Sequence, residues 1–186
     1  MNCRGLVVGA NQQIMARPFQ KFFNYEELDG QVPVEPFEVY EKLDGCLAIS
    51  YWVDGQSYLA TRGSFTSEQA ERANKIFKER NYGRYLRPYY TYLFEFISPK
   101  FRIVIDYGGM EDLVLLAIFE TDTGREIPLL PESFGHESVN RPPFPIVKRR
   151  DFHSFDEILA QQNDRDEGFV IRFRSGFRCK VKMAEY

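Results

Sequence analysis

The segment FEVYEKLDGCLAI, residues 37–49, sets a short polar stretch between two runs that are rich in apolar and aromatic residues. The polar centre contains Lys42, Asp44 and Gly45. Because Asp-Gly pairs are common in turns, the simplest interpretation is a polar turn between two strands. A lysine held between apolar strands is also a candidate for a lowered pKa, and a neutral amine is a nucleophile. The segment therefore predicts two extended elements with a candidate nucleophile, Lys42, at their junction.

The sequence around this segment is mostly typical of strands. A turn at Asp54-Gly55 is expected to join the first two predicted strands in a hairpin. The predicted strands are Cys46–Val53, Ser57–Thr61, Tyr90–Ile97, Phe101–Ile105, Leu113–Phe119, Gly168–Phe173 and Phe177–Met183.

Two helices interrupt the strands. The longer one is predicted from about Thr66 to Arg80, because Thr66 and Gln69 have the spacing of a capping box and the apolar residues that follow share one helical face. A shorter helix is predicted at Ser154–Gln162. Since strands dominate and the helices do not alternate with them regularly, the predicted fold class is α+β, with mostly antiparallel sheets and flanking helices.

Length and composition predict one folded domain. The chain has 186 residues, of which 44% are hydrophobic and 16% aromatic, which excludes a disordered protein and allows a sizeable core. The proline-rich stretch from Pro128 to Pro145 is interpreted as a surface excursion inside that domain. We therefore expect residues 1–186 to form a single domain.

The cysteines point to a reducing compartment. Cys3, Cys46 and Cys179 cannot all pair with one another, and the chain has only two histidines, so neither a disulfide framework nor a zinc site is expected. No signal pattern and no apolar run of about 18 residues is present. We expect a cytoplasmic protein with no membrane partner.

The net charge limits the kinds of nucleic-acid binding that are expected. The 24 lysines and arginines against 27 aspartates and glutamates give a net charge of −3, which excludes a protein that coats a polyanion in bulk. Residues 169–184 nevertheless contain five cations and no acidic residue. An enzyme that meets phosphates at one site needs only such a local patch.

Several charged residues stand in apolar surroundings. Glu95 interrupts the apolar strand from Tyr92 to Ile97, and a buried carboxylate is costly unless something binds it. Glu167 stands at the start of another strand. For both glutamates, the alternative to a role in binding a ligand is an ion pair with a neighbouring cation. In the segment RCKVK, residues 178–182, period-two alternation places three cations on one sheet face. They indicate an anion site, and the alternative is a solvated edge strand guarded by lysines.

The order of these motifs resembles a known group of enzymes. Lys-x-Asp-Gly, Arg-Gly, Phe-Glu-Phe, Glu-Gly-Phe-Val and Lys-x-Lys follow one another at residues 42–45, 62–63, 94–96, 167–170 and 180–182. This order resembles the covalent nucleotidyltransferase superfamily of polynucleotide ligases and messenger-RNA capping enzymes. Further similarities at residues 3–5, 17–24, 63–70 and 102–107 and at Tyr186 are those of the phage-type RNA ligase 1 family.

The resemblance implies a nucleotidyltransferase (ATP-grasp-like ligase) domain and an ATP-dependent RNA ligase that acts in RNA repair. In that family the lysine of Lys-x-Asp-Gly, here Lys42, attacks the α-phosphate of ATP and forms a lysyl-AMP adduct. The adenylate then passes to an RNA 5′-phosphate, and an RNA 3′-hydroxyl displaces AMP. The implied cofactors are ATP and Mg²⁺ or Mn²⁺, and the implied partner is RNA with 5′-phosphate and 3′-hydroxyl ends.

The resemblance also implies roles for single residues. Lys180 and Lys182 match the phosphate-binding pair, and Arg4 and Lys21 match cations at the leaving phosphates. Arg62 matches a basic residue that serves phosphate or RNA. Glu95 and Glu167 match carboxylates that serve the ribose, the metal or the α-phosphate. Further expected site residues are Glu41 and Leu43 in the nucleotide pocket, Phe23, Asp44 and Tyr186 in support, Gly45 and Gly168 for close backbone approach, and Phe119 for stacking on adenine.

Other interpretations of the same motifs are open. The chemistry is also that of a DNA ligase or a GTP-using capping enzyme, although the segment RPFQKFFN, residues 17–24, favours an RNA ligase. A catalytically silent nucleotide- or RNA-binding module is a third interpretation, which the intact lysine and glutamates disfavour. Phe23 and Tyr186 are equally compatible with plain core positions, and most aromatic residues placed in strands as Phe119 is are simply core. Family members usually continue into a C-terminal domain that helps select RNA, and we expect none within this chain. The biological RNA and the oligomeric state are open.

Overall fold

The computed structural model describes residues 4–130, 142–161 and 167–183. Within these residues the chain forms two five-stranded sheets, a two-stranded ribbon and two α-helices. The strands are β1 (Val7–Val8), β2 (Ile14–Ala16), β3 (Phe23–Asn24), β4 (Phe37–Glu41), β5 (Cys46–Val53), β6 (Gln56–Thr61), β7 (Tyr90–Ile97), β8 (Asp112–Glu120), β9 (Glu126–Ile127), β10 (Arg149–Arg150), β11 (Gly168–Phe173) and β12 (Arg178–Lys182). The helices are α1 (Glu68–Glu79) and α2 (Phe155–Leu159).

The strands divide between a first sheet, ordered β6-β5-β7-β8-β9, and a second sheet, ordered β10-β4-β11-β12-β3. The pairs are antiparallel except for β12 with β3, which run parallel. β4 belongs to the second sheet and β5 to the first. The polar stretch that begins at Lys42 is therefore the crossing point between the sheets. The α+β class with mostly antiparallel sheets is confirmed.

The helices cover the outer faces of the sheets. On α1, Ala70, Ala73, Ile76 and Phe77 are buried, and three of these pack with Phe94 and other first-sheet residues. On α2, Ile158 packs against the second sheet. A third cluster covers part of the first sheet with Val7 and Ala16 of the ribbon, and a fourth lies where the two sheets approach each other.

The predicted strand Phe101–Ile105 is wrong. Pro99–Phe101 forms one turn of helix, and the chain from Arg102 to Tyr107 is irregular. The reason is a side chain that replaces a strand partner, because the buried carboxylate of Asp44 accepts hydrogen bonds from the backbone N–H groups of Val104 and Ile105, each at 2.7 Å. An alternating apolar pattern does not reveal such a partner.

Two predicted helix boundaries also differ. The N-cap of α1 is Ser67, whose hydroxyl accepts a hydrogen bond from the Ala70 N–H at 3.2 Å, and not Thr66. α2 is shorter than predicted and ends at Leu159. Of the proline-rich stretch, residues 131–141 lie outside the described residues. No helix in the described part of the chain is long and apolar enough to cross a membrane.

Candidate active site

Lys42 lies at the end of β4, where the second sheet gives way to the crossing segment. Its backbone N–H donates to the carbonyl of Gly168 at 2.9 Å, which extends the pairing of β4 with β11 by one residue. Its ammonium group forms an ion pair with the carboxylate of Glu167. The two side chains are 19% and 6% exposed, so the pair is mostly sheltered from water.

Glu167 directly precedes β11 and is buried. Burial raises the pKa of its carboxyl group, and the hydrogen bond and charge of Lys42 oppose that rise. A carboxylate with a raised pKa is a better proton acceptor than an ordinary glutamate. The pair therefore joins an amine to an adjacent group that can take its proton.

Glu95 approaches the same lysine from the first sheet. Burial raises the pKa of Glu95 to about 8; the charge of Lys42 lowers it, and the charge of Glu167 raises it further. The Glu95 carboxyl group is enclosed by protein although part of its side chain faces the space between the sheets. Lys42 thus lies near two carboxyl groups that repel each other.

Lys180 and Lys182 project from β12 beside the Lys42–Glu167 pair. In the register of β11 and β12, Lys182 is opposite Gly168 and Lys180 is opposite Val170. Cys179 and Val181 are buried on the other face, which confirms the alternation predicted for this strand. Burial, followed by the charges of Lys42 and Lys182, lowers the pKa of Lys180. Lys180 pairs with Asn24 of β3, so this part of β12 is not an open edge.

A cleft of about 690 Å³ opens between the two sheets at this point. Apolar side chains line it from both sheets, among them Leu116 of β8 and Val170 of β11, together with Leu43 and Val147. The predicted site residues that line the cleft are Arg4, Lys21, Glu41, Lys42, Leu43, Gly45, Arg62, Glu95 and Lys180. Glu41 is also held by Arg150 at 2.6 Å.

Leu116 and Val170 were not among the residues chosen from the sequence. Val170 is the last residue of the Glu-Gly-Phe-Val motif, so its position in the cleft has a visible signal. Leu116 has none, because a β-bulge places it there: Leu93 pairs with Ala117 while Phe94 pairs with Leu115. The bulged residue is left without a partner, and bulges are often found next to active sites.

Asp44 and the two motif glycines support the backbone. The Asp44 N–H donates to the Tyr107 hydroxyl at 2.8 Å, which together with the carboxylate contacts ties the crossing segment to residues 104–107. A Cβ atom on Gly45 would lie 2.5 Å from the carbonyl oxygen of Phe96, and one on Gly168 would lie 2.0 Å from that of Val181. At both glycines, the close backbone approach that the sequence predicts is therefore an approach to a neighbouring strand.

Three of the predicted site residues, Phe119, Phe23 and Lys182, are not among those that line the cleft. Phe119 is buried and makes an edge contact with Phe19 at 5.6 Å between ring centroids, facing a neighbouring cavity instead of the cleft. Phe23 is 40% exposed, with the Lys21 ammonium group 4.3 Å from its ring centre. Lys182 is exposed, and Tyr186 lies outside the described residues.

A chain of ion pairs that sequence reasoning missed closes one end of the cleft. Glu126 of β9 accepts hydrogen bonds from Arg172 at 2.8 Å and from Arg178 at 2.5 Å. Arg172 also contacts Glu38 at 3.3 Å, and Glu38 contacts Arg149 at 3.0 Å. Glu126 belongs to the first sheet and its arginines to the second, so the chain of ion pairs links the two sheets.

The described residues contain no group of three His, Cys, Asp or Glu side chains that would hold a metal ion by themselves. Glu95 and Glu167 still fit Mg²⁺ or Mn²⁺, because Mg²⁺ is usually held by one or two carboxylates together with substrate phosphates. Burial raises the pKa of both groups despite the nearby charge of Lys42, so a further cation at this position would stabilise their ionised forms.

Two facing antiparallel sheets, a lysine at their crossing point and cations on one wall define a nucleotidyltransferase domain. Solved structures of the RNA ligase of Naegleria gruberi share this fold. A mutant with AMP and Mn has a TM-score of 0.68 at 17% identity, covering 100% of this chain and 62% of that chain. A mutant with ATP and Mn has a TM-score of 0.64 at 18% identity, covering 97% and 62%.

The sequence matches the family described as RNA ligase over residues 2–186, and the chain belongs to that family. It is 32% identical to a protein named as an RNA ligase of Thermovibrio ammonificans, over 86% of this chain and 43% of that protein. It is 27% identical to a protein named as a bifunctional polynucleotide kinase/RNA ligase of Autographa californica nuclear polyhedrosis virus, over 100% of this chain and 30% of that protein. The chain thus spans less than half the length of these two relatives.

Proposed function

We propose that this chain is the adenylyltransferase domain of an ATP-dependent RNA ligase and that Lys42 is its nucleophile. The observation that carries the proposal is the Lys42–Glu167 pair at the crossing point of the two sheets, where Lys42 lines the cleft. Membership of the RNA ligase family and the shared fold support it.

In the proposed first step the Lys42 amine attacks the α-phosphorus of ATP. The N–P bond forms, the bond from the α-phosphorus to the bridging oxygen breaks, and pyrophosphate leaves. The amine must lose a proton, and the adjacent Glu167 carboxylate is placed to accept it. The product is a phosphoramidate that joins Lys42 to AMP.

The cations of the cleft suit the charge that this step develops. Lys180 lies beside Lys42, and Lys182 is next to Glu167 in the pairing of β12 with β11, so both are placed for the α-phosphate. Arg4, Lys21 and Arg62 line the opening and suit the leaving phosphates or an RNA phosphate. A Mg²⁺ or Mn²⁺ ion held by Glu95, Glu167 and the phosphates would neutralise further charge.

We place the adenine between the apolar side chains of the two walls. Leu116 comes from the first sheet and Val170 from the second, and both are only partly buried. A flat base fits between such walls without displacing polar groups. This proposal moves the stacking role away from Phe119, which packs into the neighbouring aromatic cluster.

In the later steps an oxygen of an RNA 5′-phosphate attacks the adenylate phosphorus, and the N–P bond breaks as Lys42 recovers its proton. An RNA 3′-hydroxyl then attacks the 5′-phosphorus, and AMP leaves as the phosphodiester forms. RNA repair, these end chemistries, a cytoplasmic location and the extent of the domain over residues 1–186 belong to the same proposal.

The test of the first step is covalent labelling. The protein is incubated with α-labelled ATP and MgCl₂ or MnCl₂, denatured and separated by electrophoresis. We expect label on the wild-type chain and none on Lys42→Ala, with Lys78→Ala of α1 as a matched lysine control that labels normally. Absence of label on the wild type with either metal would overturn the proposal. Labelled GTP, and RNA against DNA ends, separate it from the capping and DNA ligase alternatives.

A further inference from the structure

A second cavity, of about 660 Å³, lies next to the cleft and has no role in the proposed adenylation. It opens between the turn that joins β8 to β9 and the turn that joins β11 to β12. Five arginines, one glutamate and four phenylalanines line it, namely Arg17, Arg125, Arg172, Arg174, Arg178, Glu126, Phe19, Phe22, Phe119 and Phe177. We call it the arginine cavity.

Most of these arginines are fixed by the protein. The guanidinium group of Arg17 donates to the carbonyls of Thr121 and Asp122 at 2.9 and 2.8 Å. Arg172 and Arg178 share Glu126, and Arg178 lies 5.0 Å from the ring centre of Phe19. Each of these guanidinium groups still has further N–H donors, so the wall is preorganised and keeps capacity for an anion.

Arg174 is different. It is exposed, and within the described residues its side chain makes no hydrogen bond or ion pair, although its charge helps to lower the pKa of Glu35. It stands on the β11–β12 turn beside the fixed arginines. A guanidinium group in this position can bind a phosphate without breaking an existing contact.

The cavity also offers aromatic surface. Phe177 is 37% exposed on the same turn as Arg174, and Phe22 is only partly buried. Single-stranded nucleic acids are bound by such a combination, in which cations follow the backbone and aromatic rings stack on bases. The carboxylates of an acidic peptide would use the arginines but would not stack on the rings, whereas each nucleotide brings both a phosphate and a flat base.

The arginine cavity adjoins the cleft, and the Glu126 ion pairs lie at their shared boundary. Six residues line both spaces, namely Phe19, Gln20, Phe22, Glu126, Arg172 and Arg178. A strand that occupies the cavity is therefore led to the space in which Lys42 lies.

We propose that the arginine cavity binds a nucleotide unit of the RNA strand, with a phosphate at Arg174 and a base against Phe177. This inference rests on the proposed function, because it assigns the position of the polynucleotide in the same enzyme. It gives the chain its own contact to RNA, distinct from the cations that face ATP.

The experiment measures RNA binding and adenylation separately. Binding of a fluorescent single-stranded RNA of about ten nucleotides is followed by anisotropy at several salt concentrations without ATP. The variants are Arg174→Glu and Phe177→Ala, and Arg84→Glu is the matched control, an exposed arginine that lines neither space. Adenylation of the same proteins with labelled ATP reports both folding and the first step.

We expect Arg174→Glu and Phe177→Ala each to weaken RNA binding about fivefold or more. Arg174→Glu should also make the dependence of log affinity on log salt shallower by about 0.7, the value for one phosphate of a single strand. Both variants and Arg84→Glu should form lysyl-AMP at the wild-type rate. RNA affinity unchanged in both cavity variants would overturn the inference. A wild-type chain that binds RNA through the cavity but forms no adduct would instead contradict the proposed function alone.

Discussion

At the scale of single residues, the buried position of Glu95 changes the pKa of its carboxyl group. A glutamate in an unfolded chain titrates near pH 4.3, whereas burial raises the pKa of Glu95 to about 8 in the folded protein. Between these two values the folded state holds a proton that the unfolded state has lost. The free energy of unfolding therefore falls as the pH rises through this interval.

Glu95→Gln should remove this dependence. We expect the variant to gain stability relative to the wild type from about pH 5 to about pH 8, by on the order of 3–4 kcal/mol. Urea titrations across that interval measure the difference. The control is Glu111→Gln, since the hydrogen bond from Arg72 lowers the pKa of Glu111, so its carboxyl group stays ionised throughout this interval. Parallel curves for wild type and Glu95→Gln would show that the Glu95 pKa is not raised.

The motif and the structure suggest different roles for Asp44. The motif Lys-x-Asp-Gly places it in the site, and the structure uses its carboxylate to hold the backbone of Val104 and Ile105. Asp44→Ala leaves those two N–H groups unpaired, at about 1–3 kcal/mol each.

Hydrogen exchange tests this role of Asp44. Exchange at the Val104 and Ile105 amides should become faster in Asp44→Ala by the factor that this loss implies, on the order of tenfold or more. Asp106→Ala, a change at an exposed carboxylate of the same segment, should leave those two amides protected. Equal exchange in both variants would contradict the anchoring role.

At the scale of elements, the long strands and the main helix were predictable because their apolar periodicity is local. β5, β7, β8 and β11 lie within one residue of their predicted bounds. The short strands β1, β3, β9 and β10 were missed, since two residues carry no period and their pairing is set by distant partners. Residues 101–105 failed for the same reason, because a carboxylate far away in sequence replaced the strand partner.

The site residues divide in the same way, into those with a local sequence signal and those positioned by distant partners. Lys42, Glu95, Glu167 and Lys180 were predictable because motif order survives in a single sequence, and the structure brings these four together. The bulge that turns Leu116 into the cleft depends on the register between β7 and β8, which local sequence does not contain. The ion pairs of Glu126 likewise depend on how two sheets meet.

The bulge gives a prediction about nucleotide binding. Leu116→Ala removes apolar contact from one wall of the cleft, and we expect the affinity for ATP to fall about tenfold, which corresponds to roughly 1.4 kcal/mol. Calorimetry in a Lys42→Ala background measures binding without turnover. Leu159→Ala, at an exposed leucine of α2, is the control and should bind ATP normally. An unchanged affinity in Leu116→Ala would remove Leu116 from the proposed adenine site.

Gly168 gives a prediction about the pairing of β11 with β12. Its φ is +139°, and a Cβ atom there would meet the Val181 carbonyl at 2.0 Å, so Gly168→Ala must shift backbone. We expect a loss of roughly 2–4 kcal/mol of unfolding free energy, together with loss of adduct formation as Glu167 moves. Gly63→Ala is the control, because no atom lies within 4 Å of its added Cβ. Denaturation midpoints measure the loss of stability. Equal stability of the two variants would contradict the close approach of Gly168 to Val181.

At the scale of the whole molecule, the active site exists only where two separately built sheets meet. Each sheet has its own core and helix, Lys42 stands at the crossing point, and the facing walls supply one carboxylate each. The relative position of the sheets therefore decides whether the lysine, the carboxylates and the apolar walls act on one nucleotide. The Glu126 ion pairs are a second link between the sheets, at the end of the cleft that adjoins the arginine cavity.

Glu126→Gln should weaken that link. Arg172 and Arg178 are only 26% and 11% exposed. The change therefore removes one charged partner from each of two poorly solvated guanidinium groups. We expect a loss of about 2–4 kcal/mol of unfolding free energy, as for other half-buried ion pairs that lose one partner. Glu120→Gln is the matched control, because Glu120 pairs with Arg125 across a single turn of the first sheet and that exposed pair contributes at most about 1 kcal/mol. If sheet position governs the site, a fixed concentration of ATP should stabilise Glu126→Gln less than Glu120→Gln, because a chain whose sheets are misplaced binds ATP more weakly. Equal stability of the two variants, with or without ATP, would show that the sheets are held together without Glu126.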